Sequence, residues 1–248
     1  MKFNFFKTSE PNPVILNSSV GTHNEYSRTT WVEKTLGGFP EGLSILDAGA
    51  GESQYKKHCQ HLKYTSQDFG QYEGDGNGKG LQTRKWDNSK IDILSDICSI
   101  PVSDESFDIV MCTEVLEHVI DPQKALLELN RILKKGGYLL ITAPFCSLTH
   151  FAPFHYSTGF SKYFYEDFCQ RNNYKLLELT PNGNYFEYIA QELRRLTHVA
   201  ETYTKERLSK TDVDAVNILL NSLQNLSDKD TISNELLCFG YHFLAKKN

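Results

Sequence analysis

The sequence contains no run of about 18 apolar residues, the length a helix needs to cross a bilayer, so no membrane-spanning segment is expected. Its start, MKFNFFKTSEPNPVILNSS, has no sustained apolar stretch and no convincing small-residue cleavage site. That argues against a secretory signal and for a cytoplasmic location. The six cysteines (59, 98, 112, 146, 169 and 238) form no CxxC pair, and several sit in apolar runs such as FDIVMC. Buried free thiols in a reducing compartment are the expectation. Positive charge is in short supply: 26 Lys and Arg face 31 Asp and Glu, for a net charge of -5. A broad nucleic-acid face needs a basic surface, so nucleic acid is not the expected partner. No internal repeat is present.

What remains is ordinary for a globular chain: 248 residues, 40% hydrophobic and 23% charged. The length fits one domain with additions. The reading is an N-terminal arm and helix over 1–40 and a main domain over 41–248. Residues 1–22 are polar and irregular. Residues 24–36 carry Trp31, Val32 and Leu36 at helical spacing. From there strands and helices alternate. LSILDA predicts a strand, residues 53–61 a helix, and KYTSQD a second strand. GQYEGDGNGKG, 70–80, predicts a loop with too little apolar content to pack. IDILSD and FDIVMC predict the third and fourth strands. The next helix is the best marked: Asp121 caps it, Pro122 opens it, Ala125, Leu126, Leu129, Ile132 and Leu133 form one stripe, and Gly136 stops it. GYLLITAP predicts a fifth strand, KLLELT another, and LLCFGYHFLAKK the last. A helical insert occupies about 185–230. Near-continuous apolar strands between amphipathic helices imply an α/β fold, a doubly wound sheet of seven mostly parallel strands with an antiparallel last one.

ILDAGAGES, 45–53, holds the main chemical clue. An apolar strand ends in Asp47 and breaks into Gly49 and Gly51. The phosphate-binding pattern GxxxxGK[ST] is absent. The dinucleotide fingerprint fails too, because Gln54 stands where its third small residue belongs. A pyrophosphate on this turn would also lie near the carboxylate of Asp47, charge against like charge. A cationic ligand suits the turn better.

The segment Asp47-Ala48-Gly49-Ala50-Gly51 resembles the first motif of class I S-adenosylmethionine-dependent methyltransferases of the small-molecule, methyltransferase-11-like type. The resemblance runs from about Ser44 to Pro144. It implies S-adenosyl-L-methionine as cofactor and a Rossmann-like fold. Asp68, about 20 residues beyond Asp47, would take the ribose hydroxyls. Asp96 and Ile97 would hold the adenine, and Glu114 would stand near the methionine end. Ser53 departs from the family, where a third glycine is frequent. Singly, each glycine could make only a tight turn and each acid only cap a loop; together and in order they point to cofactor binding.

EVLEH spaces Glu114, Glu117 and His118 at i, i+3 and i+4, which on a helix would share one face. It resembles the E-x-x-E-H pattern of metal-dependent methyltransferases acting on RNA 3' ends, and of some quinone-biosynthetic ones. His150 or His155 would then complete a metal site. The preferred reading assigns no metal ligand, because VLEHV is common in metal-free relatives. The aromatic segment 145–168 follows the fifth strand and is expected to act as a lid. It resembles the H-x-x-P-x-D/H-[FY] lid of bacterial members whose acceptors are often sugars or other small metabolites. Within it His155 is the candidate general base, with His150, Tyr156 and His118 behind it. Phe151, Phe154, Phe160 and Phe164 are expected mostly in the core.

The resulting expectation is methyl transfer to a small-molecule acceptor, a hydroxyl of a sugar or other metabolite, by a chain that could dimerise. The alternatives are a metal-dependent RNA 3'-end or quinone-type O-methyltransferase, and a non-catalytic cofactor-binding protein.

Overall fold

The computed structural model describes residues 18–248. The expected arm therefore lies largely outside the described residues. Helix α1 (Asn24–Gly37) leads into β1 (Ser44–Ala48), β2 (Lys63–Asp68), β3 (Ile93–Leu94) and β4 (Phe107–Thr113). Then come α2 (Pro122–Ile132), β5 (Leu133–Pro144), α3 (Lys162–Arg171) and β6 (Tyr174–Asn182). Helices α4 (Tyr185–Thr204) and α5 (Lys210–Ser227) precede β7 (Gly240–Lys247).

The strands form one sheet in the order β3-β2-β1-β4-β5-β7-β6. Strands β1 to β5 pair in parallel, and β7 runs antiparallel between β5 and β6. The central strands read as continuous apolar runs because both faces are covered. On one face Val32 and Leu36 of α1 pack with Ile45, Met111 and Leu140. On the other, Ala125, Leu126, Leu129 and Ile132 of α2 pack with Leu46, Val110 and Leu139. The side chain of Asp121 accepts a hydrogen bond from the Lys124 amide, the N-cap expected of it.

Three expectations need correction. Residues 53–61 form turns and a single 3₁₀ turn, Lys56–His58, in place of a helix. Ser53 sits at φ +57°, and a left-handed residue there breaks a right-handed helix at its start. The third strand shrinks to two residues, with Leu94 largely exposed at the sheet edge. The glycine-rich loop does pack. Tyr72 is buried, stacks on Phe151 at 4.6 Å and meets Trp86 edge-on. At Gly76 a side chain would bring its Cβ within 2.1 Å of the Ala152 carbonyl oxygen. The loop thus lies backbone-to-backbone on the segment after β5, with Asn77 donating to Ala152, Leu81 to Thr149 and Phe151 to Leu81.

Candidate active site

Parallel strands bring the carboxyl ends of β1, β2, β3 and β4 to one edge of the sheet, where open α/β folds hold their ligands. A cavity of about 730 Å³ lies there, roofed by Phe151, Phe154 and Tyr156. The turn after β1 forms its floor. The amides of Gly49 and Ala50 donate to the Gln67 carbonyl. A Cβ on Gly49, which has φ +78°, would fall 2.3 Å from Val115 Cγ2, so only glycine fits. Asp68 ends β2 almost fully buried. Its two carboxylate oxygens accept from the amides of Gly51 (2.9 Å) and Gly70 (2.8 Å). Each oxygen keeps a second lone pair, and Asp68 lines the cavity. Asp96 and Ile97 line it beyond β3, with Asp96 accepting from the Cys98 amide.

Glu114 follows β4 at φ +55° and pairs with Arg28 of α1 at 3.0 Å. Burial opposes the Arg28 charge most strongly, but Glu114, Tyr55, Glu25 and Glu117 together outweigh it and hold the guanidinium pKa up. Glu114 borders both the large cavity and a smaller pocket of about 230 Å³. Polar groups from several elements line that pocket, among them Arg28, His150, Asn182, Gln191 and Arg195.

Asp47 requires a correction, because it is not on the wall of either cavity. Its carboxylate accepts from the Tyr64 hydroxyl at 2.6 Å on the side of β1 that faces α1. Burial pushes its pKa up to about 7, against the Tyr64 hydrogen bond and with Asp68 adding to the rise. It is therefore not the fixed anion facing a ligand that the sequence suggested.

His155 likewise lines neither cavity, and its Nε2 lies 3.2 Å from Ser147 Oγ. His150 borders the smaller pocket instead, and His118 and Tyr156 border the larger. The shared helix face expected of EVLEH does not form, since Leu116–His118 is a 3₁₀ turn. Glu114 turns to Arg28, while Glu117 is completely buried beside His118 and His150. Burial, reinforced by His150, lowers the pKa of His118 to about 3, so its imidazole is neutral. Phe151 and Phe154 belong to the cavity roof, whereas Phe160 is in the buried core and Phe164 packs against it, so the four phenylalanines divide.

Residues 46–141 match the Methyltransf_11 family model, described as a methyltransferase domain. The chain carries a class I S-adenosylmethionine-dependent methyltransferase domain. Among curated relatives, the uncharacterised methyltransferase YcgJ of Bacillus subtilis is 28% identical over 44% of this chain and 41% of that protein. The ubiquinone/menaquinone biosynthesis C-methyltransferase UbiE of Hahella chejuensis is 30% identical over half of each. The chain thus spans half or less of the length of these relatives. Among solved structures, a SAM-dependent methyltransferase from Archaeoglobus fulgidus has a TM-score of 0.53 at 16% identity, over 90% of this chain and 94% of that one. A putative sarcosine dimethylglycine methyltransferase from Galdieria sulphuraria has 0.51 at 14%, over 91% and 85%. At such identities the likeness concerns the fold.

The methyltransferase domain has room and chemistry for S-adenosylmethionine. Asp68 offers free lone pairs suited to a pair of hydroxyls, and the apolar surface of Ile97 and Val115 suits a flat ring. Sequence reasoning missed Arg28, Gln67, Trp86 and Arg195. Gln67 and Trp86 line the large cavity, and Arg28 and Arg195 line the small pocket. Arg28, Trp86 and Arg195 come from other parts of the chain, Gln67 adjoins Asp68 on β2, and no local spacing marks any of them.

Proposed function

We propose that the methyltransferase domain moves a methyl group from S-adenosylmethionine to a hydroxyl of a small polar acceptor, such as a sugar or related metabolite. Asp68 carries the reading: a buried carboxylate at the end of β2, tied to the glycine turn and open to the cavity. In this reading Gly49 and Gly51 shape the turn, Asp68 takes the ribose hydroxyls, and Asp96 and Ile97 hold the adenine. Glu114, aligned by Arg28, faces the methionine end. Bound S-adenosylmethionine supplies a methyl activated by its sulfonium. The chain's share is to align the acceptor with that methyl and to exclude water, through the roof of Phe151, Phe154 and Tyr156.

The smaller pocket adjoins the cavity at Glu114, and its polar lining favours a hydroxylated acceptor over an apolar one. A quinone ring is the second reading, favoured by the names of two relatives, a demethylmenaquinone methyltransferase and UbiE. Titration of S-adenosylhomocysteine by calorimetry should give one saturable site in the wild type and none in Asp68→Ala. Unchanged binding in Asp68→Ala sinks the cofactor assignment. Transfer of labelled methyl to members of a panel of sugars, quinols and amines then identifies the acceptor class. Binding without turnover on any of them would favour a non-catalytic cofactor-binding protein.

A further inference from the structure

We propose that Glu117, His118 and His150 form a binding site for a divalent transition-metal ion at the boundary between the large cavity and the smaller pocket. Glu117 is 0% exposed, and neither of its carboxylate oxygens has a hydrogen-bond partner among the described residues. His118 Nε2 and His150 Nε2 each lie 3.7 Å from Oε1. That is beyond hydrogen-bond reach.

The tautomers make the arrangement telling. His118 Nδ1 lies against the Phe154 carbonyl oxygen, and His150 Nδ1 lies 2.8 Å from the Leu148 carbonyl oxygen. A carbonyl only accepts, so each Nδ1 donates, and it is the Nε2 atoms that face Glu117. The two Nε2 atoms and a carboxylate oxygen therefore converge, and His118 Nε2 is itself buried without a partner among the described residues. A buried carboxylate facing two ring nitrogens favours a positive centre among them.

The dimensions suit an ion. The candidate ligand atoms lie within 4.8 Å of one another. Two donors about 2.1 Å from a tetrahedral ion stand about 3.4 Å apart, so closure needs only a small movement. A backbone carbonyl behind the far nitrogen is the usual support of a metal-binding histidine. Stacking of Phe151 on His118 at 4.9 Å and the edge-on packing of His150 against His118 hold the rings in place. Two imidazoles and one carboxylate suit zinc, cobalt, manganese or iron better than magnesium or calcium. Glu114 is not part of the set, because Arg28 occupies it. The proposed site thus departs from the metal-free preference drawn from the sequence. With three protein ligands an ion keeps open positions. If the methyl-transfer reading holds, an acceptor oxygen is the natural occupant, since His118 lines the large cavity and His150 the smaller pocket.

The competing occupant is a proton shared between Glu117 and His150. The test uses the full chain stripped with chelator and titrated with Co²⁺ or Zn²⁺, read by calorimetry and by the visible absorption of bound Co²⁺. One equivalent per chain is expected, with affinity reduced more than about tenfold in His150→Ala and in the near-isosteric Glu117→Gln. Circular dichroism and S-adenosylhomocysteine binding of the metal-free variants confirm their folding. No stoichiometric binding by the wild type, or equal affinity in both folded variants, overturns the site and leaves the proton as occupant. Metal binding in a protein that fails to bind S-adenosylhomocysteine would sustain this site while sinking the methyl-transfer reading.

Discussion

Replacing Arg28 by methionine keeps most of the side-chain volume and removes the cation that faces Glu114. The two side chains are 20% and 31% exposed and 3.0 Å apart. Exposed pairs contribute up to about 1 kcal/mol, whereas breaking a fully buried pair costs about 3–5 kcal/mol. The intermediate exposure places Arg28→Met near 2 kcal/mol, most of it the penalty of leaving Glu114 uncompensated. For a chain of this size each kcal/mol lowers Tm by about 2–4 °C, so a fall of about 4–8 °C is expected. Glu114→Gln removes the stranded charge. The double variant should therefore be less destabilised than the two single losses added together, by about 1–2 kcal/mol. Thermal and urea unfolding of the four proteins supplies the cycle. Strict additivity would refute the coupling and reduce Arg28 to a space-filling role.

Asp47 predicts a pH dependence. Its folded pKa, about 7, lies above the ordinary carboxylate value of 3.8. The folded state therefore holds its proton more tightly. The contribution is fully present below about pH 4 and is lost as pH rises through 7, a change on the order of a few kcal/mol. Tm of the wild type relative to Asp47→Asn should fall over that window, and parallel profiles would sink the assignment. Gly49→Ala places a methyl 2.3 Å from Val115 Cγ2 at φ +78°. A loss of about 2–4 kcal/mol is expected from strain and overpacking together, partly relieved in the double variant with Val115→Ala. Calorimetric unfolding measures both, and an unchanged Gly49→Ala protein would contradict the tight turn.

The sheet was legible because each central strand is a buried apolar run and α2 carries its own cap and stripe. Gly49, Asp68, Asp96, Ile97 and Glu114 surround one cavity, as their places at strand ends suggested. Asp47 was misplaced although a simple rule was at hand. Strand alternation puts it on the same face as Ile45, toward α1, and opposite Leu46. The missing helix at 53–61 turns on the left-handed backbone of Ser53, which serine does not announce. The packing of loop 70–80 was hidden because it runs through backbone contacts at glycines, where apolar content measures nothing. His150 and His155 lie five residues apart on an irregular segment, and no periodicity tells which of them faces the site.

The roof of the large cavity joins distant parts of the chain. Gln82, just after the glycine-rich loop, donates its side-chain amide to the Ala152 carbonyl, across 70 residues of sequence. Every element from β3 to β5 lies between them. Closing so long a loop costs entropy that is recovered only after β4 and β5 have paired. The clasp is therefore expected to form after the sheet and to open before it, with the Asn77, Leu81 and Phe151 amides exchanging hydrogen faster than those of the β4–β5 ladder. It can part without unravelling the sheet, since its bonds link loops to each other. A clasp that opened first would widen the mouth of the cavity while leaving the floor beneath in place.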